Sequence, residues 1–139
     1  MERSSRYIPD ALRLEVAVRA DYRCEYCLRP EKASFLKFQI DHIISRKHGG
    51  LTISENLAYT CPVCNNSKGS DVGTVLEDEE TFVRLYNPRK YKWQDHFEIN
   101  EGAILAKSDI GSATIKILNL NDVNRILERL DLIEAGILP

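Results

Sequence analysis

The chain has 139 residues, of which 43% are hydrophobic and 29% charged, and its formal net charge is −2. This length predicts one hydrophobic core with a small attached subdomain, and the composition excludes an intrinsically disordered chain. No apolar run approaches the ~20 residues of a membrane span, and the first six residues lack the apolar segment of a signal peptide. We therefore expect a cytoplasmic protein without a membrane partner.

The charges are unevenly distributed along the sequence. Residues 1–70 contain 11 Lys and Arg against 8 Asp and Glu, whereas residues 71–139 contain 8 against 13. The first part is therefore net positive although the whole chain is net negative. A local positive surface is what binding to phosphate groups requires, so the net charge does not exclude a nucleic-acid partner.

The first 70 residues predict a helix, two extended segments and a second helix. Pro9-Asp10 begins the first helix. Residues 34–44 are rich in β-branched and aromatic side chains and predict a strand, and Gly49-Gly50 marks the loop after it. Residues 54–60 return as a second extended segment, and Pro62 fits the first turn of a short helix.

Residues 71–139 predict short strands followed by two helices. The strands are expected at 82–86, 97–99 and 103–106. One helix is expected at 109–118 with Ser108 as its cap, and a second from Asn121-Asp122 to about Gly136. The fold class is therefore α+β. We expect a unit of residues 1–70, with residues 71–139 as a C-terminal strand and helix extension packed on it.

The four cysteines form two pairs of identical spacing, Cys24/Cys27 and Cys61/Cys64. In a reducing compartment, two Cys-x-x-Cys pairs favour a metal site over disulfides or redox chemistry, which are the alternatives. Four thiolates fit a closed tetrahedral Zn²⁺ site, and such a site is structural because no position stays open for water.

Three motifs occur in order between and around the cysteine pairs: Asp41-His42-Ile, Glu55-Asn56-Leu-Ala and Cys61-x-x-Cys64-Asn65-x-x-Lys68-Gly69. Together they resemble the HNH endonuclease superfamily over roughly residues 22–70. The resemblance implies a ββα-metal (His-Me finger) fold, in which a hairpin and a helix surround one divalent cation. The third position of the motif is Asn65 rather than histidine, which makes this an HNN-type variant.

The C-terminal part also resembles a bacterial, notably cyanobacterial, subgroup of small HNH proteins. The similar segments are Leu85-Tyr-Asn-Pro-Arg89, Trp93-x-x-His96-Phe97 and Ile110-Gly-x-Ala-Thr114. This resemblance extends over most of the chain.

The resemblance implies hydrolysis of phosphodiester bonds, and the chemistry of this reaction suggests a role for each of these residues. A histidine with an ordinary pKa near 6.5 accepts a proton from water at neutral pH, so His42 is the candidate general base. Asp41 and Asn65 are the candidate ligands of the catalytic cation, and an oxygen ligand at Asn65 favours Mg²⁺ or Mn²⁺. Neighbouring residues of an ideal strand point to opposite faces, so Asp41 and His42 are expected where the strand bends. The resemblance implies that Asn56 holds the intervening loop by hydrogen bonds to its backbone.

Four residues are candidate phosphate contacts: Arg46, Lys47, His48 and Lys68. His48 is also an alternative base or ligand, whereas His96 is expected to be a packing residue of the extension. Two functions remain open. One is a divalent-metal-dependent endonuclease that hydrolyses DNA, and the other is a zinc-stapled nucleic-acid-binding module with a vestigial catalytic site. The motifs do not distinguish DNA from RNA or one-strand from two-strand cleavage, and they leave the oligomeric state open.

Overall fold

The computed structural model describes residues 7–139, and the six residues considered for a signal peptide lie outside this range. The fold is α+β, as predicted. In chain order its helices and strands are α1 (Asp10–Arg19), β1 (Gln39–His42), β2 (Leu57–Thr60), α2 (Pro62–Lys68), β3 (Gly73–Val75), β4 (Phe82–Arg84), α3 (Trp93–His96), β5 (Phe97–Asn100), β6 (Ala103–Ala106), α4 (Asp109–Leu118) and α5 (Val123–Glu134).

Strands β1 and β2 form an antiparallel hairpin, with Gln39 opposite Thr60 and His42 opposite Leu57. The strand is shorter than the predicted 34–44, because side chains satisfy the backbone of the preceding segment locally. The Ser34 hydroxyl accepts from the Leu36 amide at 3.1 Å, and the Glu31 carboxylate accepts from the Phe38 amide at 2.7 Å. These bonds compete with strand pairing up to Phe38.

Helix α2 follows β2 directly and completes a ββα unit. Cys61 caps it, its Sγ accepting from the Cys64 amide at 3.4 Å, and Pro62 occupies the first turn, where its missing N–H costs nothing. The helix ends at Gly69, which has a φ of 52°. This arrangement agrees with the predicted ββα-metal core.

The extension contains two hairpins and two helices. Strand β3 pairs with β4 and β5 pairs with β6. Side chains cap both helices as the sequence predicts: Ser108 accepts from the Gly111 amide at 3.0 Å, and Asp122 accepts from the Asn124 amide at 3.1 Å. Strand β3 was not predicted, and the predicted strand 82–86 is reduced to β4.

One hydrophobic cluster joins the hairpin, the cysteine pairs and the extension. Its buried members include Leu57, Leu85, Phe97, Ile104 and Leu118. Polar contacts reinforce this packing, since the Trp93 indole donates to the Tyr26 carbonyl at 2.9 Å and Arg89 pairs with Glu25. Residues of both parts therefore share one hydrophobic cluster, and the division into a unit of residues 1–70 with 71–139 packed on it stays a prediction.

Within residues 7–139, no helix has the length and apolar character needed to cross a membrane.

Candidate active site

Asp41 and His42 lie at the end of β1 and project to different sides of it. The Asp41 side chain is buried, whereas His42 is half-buried and its Nε2 lies 2.8 Å from the Thr52 hydroxyl. The next amide, of Ile43, donates to the Asn56 carbonyl at 2.8 Å. Although the two side chains project to different sides of β1, Asp41 and His42 border the same cavity, which has a volume of about 370 Å³. The structure thus brings the candidate ligand and the candidate base to one space.

Asn65 of α2 borders the same cavity. Its Nδ2 donates to the Oε1 of Gln39, and Gln39 precedes Asp41 by two residues on β1. Residues two apart on a strand share a face, so Gln39 and Asp41 both face α2. Sequence analysis missed Gln39, although its spacing from Asp41 was the signal that could have found it.

Lys68 does not reach the surface, which corrects its predicted role as a phosphate contact. Its side chain is 1% exposed, and Nζ lies 3.0 Å from the Asp41 carboxylate. The same ammonium donates to the carbonyls of His42 at 3.2 Å and Ile43 at 3.1 Å. An ammonium that leaves water needs such partners, so Lys68 serves the end of β1 rather than a phosphate.

The Asp41 carboxylate lies in a low-dielectric environment. Burial raises its pKa, and the Lys68 ammonium together with the Tyr26 hydroxyl, 3.4 Å away, acts in the opposite direction. Burial prevails, so the pKa of Asp41 lies above its ordinary value.

Asn56 ties together both ends of the loop after His42. Its Oδ1 accepts from the Ile44 amide at 2.9 Å, and its Nδ2 donates to the carbonyls of Ile44 at 2.9 Å and Leu51 at 2.8 Å. Gly50 allows this approach, because a Cβ there would lie 1.6 Å from the Ile44 oxygen and 2.9 Å from Asn56 Nδ2. The bonds are those the resemblance implies for a loop-holding asparagine.

The candidate phosphate contacts of the loop divide into two groups. Arg46 and Lys47 border the cavity, and Arg46 donates to the Gly50 carbonyl at 3.0 Å. His48 is exposed and does not border the cavity. The cavity at Asp41 and His42 is also bordered by Arg13 of α1, whose Nε donates to the Ile8 carbonyl at 3.1 Å. Sequence analysis missed Arg13, because its position depends on how α1 packs.

The four cysteines meet in a buried cluster at the other end of α2. The Sγ atoms of Cys24, Cys27, Cys61 and Cys64 all lie within 4.8 Å of one another. Those of Cys27 and Cys61 are 3.7 Å apart, which matches the ~3.8 Å expected between ligands of a tetrahedral Zn²⁺ with bonds of ~2.3 Å. The cluster fits a zinc site.

Arg125 of α5 places a cation against this cluster. Its guanidinium donates to Cys64 Sγ at 3.0 Å and approaches Cys61 Sγ to 4.0 Å. Hydrogen bonds with Cys24 lower the pKa of Cys27 and of Cys61, and the charge of Arg125 lowers the pKa of Cys27 further. Burial raises the pKa of Cys24, and the pKa of Cys64 is also raised. A guanidinium in contact with a thiol favours the thiolate form that metal binding needs.

Among the described residues, a hairpin and a helix hold a carboxylate, an imidazole and a carboxamide around one cavity, beside four clustered cysteines that fit a zinc site. This combination defines a ββα-metal domain. Residues 24–71 match the family model described as HNH endonuclease, and an HNH domain in this segment implies a nuclease-type function. A search of curated proteins and a search of solved structures gave no match.

Proposed function

We propose that the protein is a divalent-metal-dependent endonuclease that hydrolyses phosphodiester bonds of DNA. The observation that carries this proposal is the convergence of Asp41, His42 and Asn65 on one cavity. These residues come from β1 and α2. Both elements lie within residues 24–71, the segment of the HNH match, as do the cysteine pairs. The finer assignment of residues to roles rests on their chemistry.

The donor set fits a hard divalent cation. Asp41 and Asn65 offer a carboxylate and a carboxamide oxygen at the cavity, and Gln39 accepts a hydrogen bond from Asn65 Nδ2. Oxygen donors suit Mg²⁺ or Mn²⁺. A cation held there would neutralise charge on the phosphate and stabilise the departing 3′ oxygen.

His42 is the proposed general base. Its contact with Thr52 orients the imidazole at the cavity, and the Asn56 bonds fix the loop that carries Thr52. An imidazole so held accepts a proton from the attacking water, a contribution typically worth about 10²- to 10⁴-fold in rate. Arg46 and Lys47 contribute positive charge for the phosphates on either side of the reacting bond.

A second candidate function is a zinc-stapled nucleic-acid-binding module without catalysis. The ion pair between Lys68 and Asp41 favours it, because a buried ammonium already satisfies the carboxylate at 3.0 Å. A cation that binds Asp41 must approach from the cavity side, beside the lysine. Such a module would retain the basic residues and the cysteine cluster while the cavity remained inert.

Nicking of supercoiled plasmid by the zinc-loaded protein tests the proposal, with Mg²⁺, Mn²⁺ or EDTA and with His42→Ala as the key variant. We expect metal-dependent nicking that His42→Ala lowers by at least about 10²-fold. His96→Gln is a matched histidine control, since His96 lies in the extension with Nδ1 2.6 Å from the Ser108 hydroxyl. It should nick at the wild-type rate.

Equal losses in both histidine variants, with both proteins folded, would argue against His42 as the base. A wild-type protein that cuts nothing with any metal, yet binds DNA in a salt-dependent way, would establish the binding module instead.

A further inference from the structure

A second cavity, of about 300 Å³, adjoins the one at Asp41 and His42. Both are bordered by Arg13 of α1 and Ile40 of β1, so the two cavities lie side by side along β1. The second cavity is further bordered by Lys37 and Glu31. We call the two neighbouring cavities together the β1 groove.

Positive charge predominates in the β1 groove. Among the described residues that border it, the cations are Arg13, Lys37, Arg46 and Lys47, and the carboxylates are Asp41 and Glu31. Protein donors already engage both carboxylates. Asp41 pairs with Lys68, and Glu31 accepts from the Tyr59 hydroxyl at 2.6 Å and the Phe38 amide at 2.7 Å. The groove therefore presents an excess of cations in a chain whose net charge is −2.

The cations lie at both ends of β1. Lys37 precedes the strand, and Arg46 and Lys47 follow it, with Asp41 and His42 in between. Four strand residues span ~13 Å at ~3.3 Å per residue, which is long enough for the two groups of cations to contact different phosphates of one strand. The cations are thus spaced for phosphates on both sides of a reacting bond.

We propose that Arg13 and Lys37 form a second phosphate-binding region, so that one DNA strand follows the β1 groove with its reacting phosphate between this region and Arg46 and Lys47. The inference rests on the proposed endonuclease function. The Arg13 Nε donates to the Ile8 carbonyl at 3.1 Å, which orients its guanidinium. Both side chains are exposed, so their charges are available to a ligand.

The test measures binding of a labelled DNA duplex by fluorescence anisotropy over a series of NaCl concentrations, in the His42→Ala background so that the DNA stays intact. The variant Arg13→Gln/Lys37→Gln should weaken binding and make the slope of log K against log salt shallower by about two, one for each lost phosphate contact. The control Lys107→Gln/Lys116→Gln removes the same charge from the extension. It should leave the slope unchanged.

Equal slope changes in the two double variants would overturn the proposal, because the effect would then be one of net charge alone. An unchanged slope in Arg13→Gln/Lys37→Gln would overturn it as well. Plasmid nicking by the proteins with His42 intact separates this inference from the proposed function. A wild type that nicks while the slopes stay equal refutes only the β1 groove. A wild type that never nicks while the slopes differ refutes the endonuclease and the reacting phosphate, and supports Arg13 and Lys37 as phosphate contacts alone.

Discussion

Lys68 is the residue whose environment most constrains the candidate site. Its ammonium and the Asp41 carboxylate are almost fully buried against each other, with side-chain exposures of 1% and 5%. A buried pair is costly to break from one side, since the remaining charge loses its partner without regaining water. The ammonium also bonds the carbonyls of His42 and Ile43, so it ties α2 to the end of β1.

Lys68→Met should therefore lower the free energy of unfolding by about 3–5 kcal/mol, measured by urea denaturation of the zinc-loaded protein. Removing both charges together in Lys68→Met/Asp41→Leu should cost less than the single substitution, because no unpaired charge remains. If instead the two substitutions simply added, the pair would not be coupled as its 3.0 Å separation indicates.

The loop after β1 contains two glycines that are needed for different reasons. Gly50 has no space for a Cβ, and Gly49 has a positive φ. A Cβ at Gly50 would meet the Ile44 oxygen at 1.6 Å, whereas one at Gly49 would meet nothing within 4 Å, although Gly49 has a φ of +86°. Gly50→Ala should destabilise the protein by about 1–3 kcal/mol through displaced backbone. Gly49→Ala should cost about 1–2 kcal/mol from backbone conformation alone.

Activity should distinguish the two glycine variants more sharply than stability does. A Cβ added at Gly50 would lie 2.9 Å from the Asn56 amide nitrogen, so Gly50→Ala disturbs the contacts that hold the loop. We expect the nicking rate to fall in Gly50→Ala and to persist in Gly49→Ala, each measured well below its melting temperature. A larger loss in Gly49→Ala would contradict this account.

At the scale of elements, the loop between β1 and β2 depends on Asn56. Asn56→Ala removes three hydrogen bonds to the backbone at Ile44 and Leu51 and leaves those groups to water or unpaired. We expect a loss of about 1–3 kcal/mol in stability and a fall in kcat for nicking, because Thr52 and His42 lose their fixed relation. Asn66→Ala, on the exposed side of α2, is the matched control and should change neither quantity.

Helix α5 reaches the cysteine cluster through Arg125. Its guanidinium lies 3.0 Å from Cys64 Sγ and offsets the negative charge that four thiolates bring to one metal ion. Arg125→Met should weaken zinc affinity by about 10- to 100-fold, measured by competition with a chromogenic chelator. Lys116→Met, on the exposed face of α4, should keep the wild-type affinity. Equal zinc affinity in all three proteins would show that Arg125 does not act on the metal site.

These elements also show which structural features can be predicted from the sequence and which cannot. Ser108 and Asp122 identify the starts of α4 and α5 because a helix cap is a local interaction of neighbouring residues. The cysteine pairs were found by their spacing, and Asp41-His42 was found because it occurs in order with the motifs at Asn56 and Cys61. The segment Gly73–Val75 gives no such signal, because it becomes a strand only by pairing with β4. Likewise, the burial of Lys68 and the reach of Arg125 depend on packing between segments far apart in sequence.

At the scale of the molecule, the cysteine cluster and the extension share one core, and the single tryptophan lies between them. The Trp93 indole donates to the carbonyl of Tyr26, which lies between Cys24 and Cys27. A structural zinc site contributes about 10–16 kcal/mol in small domains, whereas a whole domain is stable by only about 5–15 kcal/mol. Loss of the metal should therefore unfold the extension together with the cluster.

We expect chelation of zinc to shift the Trp93 emission to longer wavelength at the same chelator concentration at which the far-ultraviolet circular dichroism of the helices is lost. Coincidence is expected because α5 contacts the cluster through Arg125 and the hydrophobic cluster is continuous across both parts. Re-addition of Zn²⁺ should restore both signals, whereas Mg²⁺, which prefers oxygen ligands, should restore neither. If the helical signal survived chelation while the emission shifted, the extension would fold independently of the metal site, and residues 71–139 would be a separate domain.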